Sequence, residues 1–457
     1  MKTQHILHLY NRIGFGLHPK EIEALQSKQR NEVINQLFQS SEKVTPLNID
    51  TSFISDLPLK ELRNKKKRKE LMKISRKKIR ELNGIWIDRL NNPTEILREK
   101  MTLFWANHFV CEDKNIVHVL QYNNTLRKYA LGDFRAFVKA ISKEAAMLKY
   151  LNNKQNKKDS PNENFARELL ELFTLGQGNY TETDIKEAAR AFTGYNHDFK
   201  GNFKLRKRKH DYDEKTFLGE TGNYFGDDII DIVLSKKQCA RFICEKIYSY
   251  FVNDKLDNDR IEELTAIFFT DYNIENLMKH ILLSDWFYDE TNIGTKIKSP
   301  IELIVGTHNI VPFTFQKEKQ ELLIQKLLGQ ILLLPPNVAG WKGGQNWIDS
   351  NTIVTRLRLA SVLLNNAEIT YSDKDDFKAV ITDFKKRKRK RKTFIKTTTD
   401  WENFETKYNT VSNEELVNVL ITAPISAGTK ELLKQYYNLP KKEFCIQLLS
   451  LPEFQLC

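Results

Sequence analysis

Glu168 and Glu171 stand three residues apart in "PNENFARELLELFTLGQGNYTETD", Pro161 to Asp184. On a helix this spacing lets two carboxylates reach one point, where they suit either a hard divalent cation or proton transfer as general acid and base. Asn162, Glu163 and Asn164 precede the pair, and Arg167 sits where a guanidinium could clamp an anionic group or neutralise the two acids. From Asp159 to Ile185 Arg167 is the only cation, in a chain of 457 residues with 72 Lys and Arg. That depletion favours a polar seam or pocket. An ordinary amphipathic helix accounts for the same pattern: at 100° per residue Asn164, Arg167, Glu168 and Glu171 share one side and Phe165, Ala166, Leu169, Leu170, Leu172 and Phe173 the other.

Two histidines are candidate proton partners. His210 lies in "KHDYDEKT" with Asp211 beside it, and His108 ends the aromatic run "FWANHFV". A hydrogen-bonded core imidazole and a plain turn are the alternatives. In "PPNVAGWKGGQNWI" Trp341 and Trp347 offer faces for a sugar or another planar ligand, or else pack an Ω-loop from within. No His-x-x-x-His or Cys-x-x-Cys spacing supplies further ligands, so a divalent metal rests on the carboxylates. Phosphate-cradling glycine loops and the Gly-x-Ser-x-Gly elbow are missing, which removes the usual support for nucleotide and serine-hydrolase readings.

These residues must be positioned mainly by helices. The fold class expected is mainly α: a large irregular multi-helix domain with a small β-hairpin or loop insert near 197–218, where the helical period lapses and Gly201 and Asn202 suit a turn. Pro19 opens the first of two short helices. Leu57 to Leu90 reads as an exposed helix or helical hairpin, its thin stripe of Leu59, Leu62, Leu71, Ile74, Ile79 and Leu82 set among cations. Thr94 is placed to cap a buried helix that carries Ile96 to Trp105. Thr181 and Asp184 have capping-box spacing before a helix that stops at Gly194. The expected organisation is a main helical domain over 1–365, including the basic segment 57–90, and a C-terminal helical extension over 366–457 with a basic spacer at 385–393.

The formal charge of +13 gathers in "RNKKKRKELMKISRKKIR" (Arg63 to Arg80), "LRKRKH" (Leu205 to His210) and "KKRKRKRKT" (Lys385 to Thr393). Such runs suit a polyanion, here through Arg63–Arg80 and Lys385–Lys392, or an acidic partner protein. Five Cys without close pairing read as buried or free thiols. No stretch approaches the roughly 20 apolar residues of a membrane span. The start lacks a signal-peptide pattern, so a cytoplasmic location is the expectation from the residues.

"HLYNRIGFG", "LREKMTLFWANHF", "LRKYALGDFR", "AAMLKYLNN", "PNENFARELLELFTLGQGNYTE", "EAARAFTGY", "HDYDEKTFLG", "KSPIEL" and "PPNVAGWKGGQNWI" together resemble the domain of unknown function 1800 family, over about residues 5–365. The resemblance implies a mainly helical fold, a bacterial setting, pairing with a secreted, sulfatase-like family, and export to the periplasm or beyond in many members. It implies no settled activity and no assigned catalytic residue.

Three functional readings follow. The leading one is an enzyme of unassigned reaction, hydrolytic or metal-assisted, with Glu168, Glu171, His210 and His108 catalytic and Asn162, Glu163, Asn164, Arg167, Asp211, Trp341 and Trp347 binding substrate. The second is a binding or assembly protein that engages a polyanion or an acidic partner through its basic segments. In the third, the same polar residues hold helix ends and loops together.

Overall fold

A computed structural model of the protein describes residues 1–58, 60–367, 369–370, 392–393 and 395–457. Leu59 and nearly all of the Lys385–Lys392 run lie outside the described residues. Among the described residues, apolar positions at helical spacing become 23 α-helical segments, and the strands form only two-stranded antiparallel sheets. The fold is mainly α. Among the described residues no helix is long and apolar enough to cross a membrane.

The largest core gathers aromatic side chains from the helices Ile96–His108, Phe134–Ile141, Lys237–Phe251 and Asn258–Asp271. Trp105 is fully buried there, and its indole N–H donates to the Ala130 carbonyl at 3.0 Å. Thr94 does not cap this helix. Glu95 holds the N-cap position, and the Thr94 hydroxyl is spent on the Glu95 carboxylate. A second core joins Pro300–Ile310, Glu318–Leu328 and Leu359–Leu364 to the four helices beyond residue 400. Strand Phe313–Phe315 pairs with Thr397–Thr399 across the same junction.

The basic stretch forms one helix, Lys65–Asn91, after a short 3-10 turn at Glu61–Arg63. Asn64 caps it, accepting from the Lys66 and Lys67 amides at 2.9 and 3.2 Å. Its C-terminal half is anchored: Leu82, Trp86, Ile87 and Leu90 are buried, and the Asn83 and Gln325 amides pair reciprocally at 3.0 and 2.7 Å. Leu62 and Leu71 of the thin apolar stripe are also buried, whereas Ile74 is exposed.

The insert is wider than the sequence suggests and holds two hairpins. Tyr195–His197 pairs with Phe203–Leu205, and Lys215–Phe217 pairs with Glu220–Gly222. Asp198 builds the first turn by accepting from the Lys200 and Asn202 amides, with Gly201 at φ +87°. The five cysteines are free thiols, four of them buried.

Candidate functional site

The polar stretch after Pro161 is not a uniform α-helix. Asn164–Glu168 is a short α-helical piece that runs directly into a π-helical turn, Leu169–Thr174, where Thr174 donates to the Leu169 carbonyl at 2.6 Å. Turns of this kind recur at functional sites because they re-aim side chains along a helix. Asn162 works on the backbone: its side chain accepts from the Asn164 amide at 3.2 Å, and its own amide donates to Asn156 at 2.9 Å. Asn156 in turn donates to the Ala189 carbonyl at 2.7 Å, pinning this loop to the helix Glu182–Ala191.

Arg167 grips a carboxylate of the protein itself. Its two terminal nitrogens donate to the two oxygens of Glu182 at 2.9 and 2.8 Å, and Glu163 lies 3.4 Å away. Glu171 accepts from the Tyr180 hydroxyl at 3.0 Å. Glu168, half-buried, is pushed above the usual carboxylate range by burial and then by Glu171, with Arg167 opposing. The two acids are therefore electrostatic neighbours, as their spacing implies.

The histidines face elsewhere. His108 is packed among Phe104, Trp105, Phe109 and Phe173, and its Nε2 lies 3.0 Å from the Phe173 carbonyl. Burial drives its pKa down to about 3, so it is a neutral core imidazole on the inner side of the π-turn. His210 is buried with Nδ1 2.8 Å from the Thr193 carbonyl and its ring stacked on Phe225 at 4.4 Å; its Nε2 has no partner. Neither ring is hydrogen-bonded to Glu168 or Glu171 among the described residues.

Asp211 takes Arg190 at 2.8 Å and, more distantly, Lys215. Arg190 and Glu182 lie at opposite ends of the same helix. That helix is thus a post: Arg167 ties the π-turn segment to its N-terminal end, and Asp211 ties the insert to its C-terminal end. Sequence reasoning missed Glu182, Arg190 and Thr193 as the partners that use up the signature residues; the capping box at Thr181 was the one local sign of this post.

Trp341 and Trp347 are 7% and 8% exposed, so neither offers a free face to a ligand. The Trp341 backbone pairs with the Asn107 side chain in both directions, at 3.0 and 2.7 Å. Gly340, at φ +76°, lets that contact close, since a Cβ there would stand 2.3 Å from Asn107 Oδ1. Among the described residues no group of three or more His, Cys, Asp and Glu side chains is assembled to hold a metal ion.

A different surface is strongly basic. Lys65, Lys66, Lys67, Lys69, Lys73, Arg76 and Lys77 are all exposed on the first half of the long helix. Among the described residues the only ion pair of Arg63–Arg80 is Lys78 with Glu81, at 3.1 Å. Arg68 lies over the Phe199 ring at 5.1 Å, which brings the helix against the insert. There, exposed Lys154 is held below its ordinary pKa by partial burial and then by Arg206 and Arg68 together. The Lys158 amide donates to the Lys209 carbonyl at 2.9 Å. Basic runs that are far apart in the chain, Arg63–Arg80 and Leu205–His210, therefore meet on one face across the loop that carries Lys154, Lys157 and Lys158.

The model of a family described as Protein of unknown function (DUF1800) matches residues 8–456. The likeness thus reaches through the C-terminal helices, well past the residue-365 limit suggested by the motifs. No curated protein and no solved structure matches the chain.

Proposed function

The chain belongs to this family of unknown function, and from that premise we propose that it is a binding protein that docks a linear polyanion on the face built from the Lys65–Asn91 helix and the Lys154–Lys209 region. The observation that carries this reading is the meeting of Arg68, Lys154 and Arg206, none of which has a carboxylate within ion-pair distance among the described residues. Lysine side chains extended into water lose little on meeting a phosphate or sulfate chain, and the release of counterions drives the association. A rigid helix anchored by Trp86 and Leu90 holds the charges in a fixed row, which favours an extended ligand over a small one.

The test measures binding of duplex DNA, single-stranded RNA and a sulfated polysaccharide by the intact protein at several salt concentrations. Affinity should fall steeply with salt, and the arms identify which polyanion is preferred. Replacing Lys65, Lys66, Lys67 and Lys69 by Gln should weaken binding by at least tenfold and flatten the slope for duplex DNA by about 0.9 per lost phosphate contact. These positions are exposed, so the fold is untouched. Salt-insensitive binding, or an unchanged affinity in the variant, overturns the reading.

A second reading, proton-transfer chemistry at Glu168, draws support from its raised pKa beside Glu171 on a π-turn. A carboxyl whose ionisation is disfavoured is suited to act as a general acid. Nothing in the arrangement of His108 or His210 adds to that support. It is separated from the first reading by Glu168→Gln, which leaves polyanion binding intact and abolishes any hydrolytic turnover.

A further inference from the structure

Arg12, Lys100, Lys296, Lys298 and Arg356 come from four separate stretches of the chain, and all five are buried. They gather around Glu302, in the first turn of the helix Pro300–Ile310, and Cys457 adds negative charge near Arg12, Lys100 and Lys298. Glu302 is fully committed. Oε2 accepts from the Ser299 amide at 2.7 Å, while Oε1 meets Lys100 at 2.5 Å and Lys296 at 3.3 Å. Although burial opposes it, Lys100 and Lys296 hold this carboxyl well below the usual range.

That leaves Arg12, Lys298 and Arg356 with no carboxylate within ion-pair distance among the described residues. Arg12 spends Nη2 on the Asn292 carbonyl at 2.7 Å and on Thr295, but its Nε and Nη1 have no acceptor. Arg356 donates to Gln455 and to the Lys298 carbonyl, while its Nη1 and the Gln455 Nε2 stay unpartnered. Lys298 reaches only the Phe454 carbonyl, at 2.9 Å, with its ammonium 3.9 Å above the Phe454 ring. Burial lowers Lys298 to about 8 and Arg356 to about 10. Three buried cations without an ion-pair partner, with several of their N–H groups unpartnered, are costly to hold out of water, and a bound counter-charge would relieve that cost.

An entrance exists. Lys298 and Glu302 line a small, open cleft, walled by Asn11, Asn309 and the glycines Gly14 and Gly16. Gly14 has no room for a side chain: a Cβ there would meet Ile96 at 2.9 Å and the Tyr10 carbonyl at 3.0 Å. We propose that this cleft binds a small tetrahedral oxyanion, phosphate or sulfate free or as the head of a monoester, with Lys298 as the contacting cation and Arg12 and Arg356 supplying the field and the spare donors behind it.

The experiment follows thermal unfolding of the intact protein during titration with inorganic phosphate and with sulfate at constant ionic strength, against chloride and acetate as controls. Equilibrium dialysis of phosphate runs in parallel. Phosphate or sulfate should raise the unfolding temperature along a saturating curve, as expected for a ligand of the native state alone. Lys298→Met should abolish the response while remaining folded, and Arg356→Lys, which keeps the charge but removes the spare Nη1 donor, should weaken phosphate binding at least tenfold. Should Lys298→Met fail to fold, Arg356→Lys and the wild-type dialysis decide the matter. An equal response to chloride, no saturable phosphate in dialysis, or an undiminished response in the folded variants overturns the proposal. The variant with Lys65, Lys66, Lys67 and Lys69 replaced should keep the phosphate response, which separates this site from the polyanion face.

Discussion

Arg127 closes a two-pronged pair on Glu99, Nε to Oε1 at 2.6 Å and Nη2 to Oε2 at 3.0 Å, with both side chains out of contact with water. The pair bolts the helix Ile96–His108 to the helix Ile116–Tyr129, and each residue lies in one of the motifs that mark the family. Arg127 also donates to Asn123 and Asn124, so its charge is fully solvated by protein. These two motif residues therefore satisfy each other's buried polar groups where two helices cross.

Removing one partner strands the other. Glu99→Ala leaves the Arg127 guanidinium buried without its counter-charge and should destabilise the protein by about 3–5 kcal/mol. Chemical unfolding of the variant checks this, and a loss below about 1 kcal/mol would mean that water enters to replace the carboxylate.

Glu168 invites the opposite change. Burial, and then its proximity to Glu171, makes ionisation unfavourable, so Glu168→Gln should stabilise the protein slightly above neutral pH. The gain is a few tenths of a kcal/mol, because the site is half open and solvent screens the repulsion. Glu171→Gln should reproduce only the part of this gain that comes from repulsion, since it leaves the Glu168 carboxylate half-buried and its Gln oxygen can still accept from Tyr180. Urea midpoints of the two single variants at pH 8 distinguish them.

Glu321 gives a pH dependence of defined sign. Burial, then Asp88 and Glu318, raises its pKa from the ordinary 4.5 to about 7. Between those values the native state holds a proton that the unfolded chain has lost, so stability falls as pH rises from about 4.5 and is level again above about 7. Glu321→Gln should therefore gain on the order of 1–3 kcal/mol at pH 8 and almost nothing at pH 4. Unfolding free energies at the two pH values provide the check; equal gains at both would show that the carboxyl is not perturbed.

Helical class was legible because apolar spacing repeats along nearly the whole chain, and the first hairpin because Gly201 and Asn202 interrupt it. The capping box at Thr181 and Asp184 was equally plain, since both partners are three residues apart. The π-turn at Leu169–Thr174 was not legible. "LLELFT" is apolar on so many sides that widening the turn exposes nothing to betray it. Nor was the cap at Glu95, where a neighbouring Thr has the better intrinsic preference but a side chain already committed to Glu95. Of the candidate site, the carboxylate pair and the basic helix could be read locally. The partners of Arg167, His210 and Asp211 could not, because they come from other elements. Arg12, Lys298 and Arg356 were the least visible: each looks like a surface cation until the fold buries all three.

Acid sensitivity should come from imidazoles held neutral. Burial lowers His108 to about 3, and His197 and His308 to about 4, against an ordinary 6.5. For each, the unfolded chain binds a proton between its folded value and 6.5 that the native state refuses, so stability declines as pH falls through that window. The decline amounts to about 2 kcal/mol per imidazole by pH 5. His108 has no route to relief, since its Nε2 faces the Phe173 carbonyl and aromatic rings surround it. His197 is nearly as confined, with Nδ1 2.6 Å from the Asp198 carbonyl and Nε2 buried without a partner. Ring-proton resonances of His108 and His197 should stay fixed from pH 8 to pH 5, while the unfolding temperature drops over the same range. A titration of either ring with a midpoint near 6.5 would place that imidazole in contact with water and remove it from the core that the fold assigns to it.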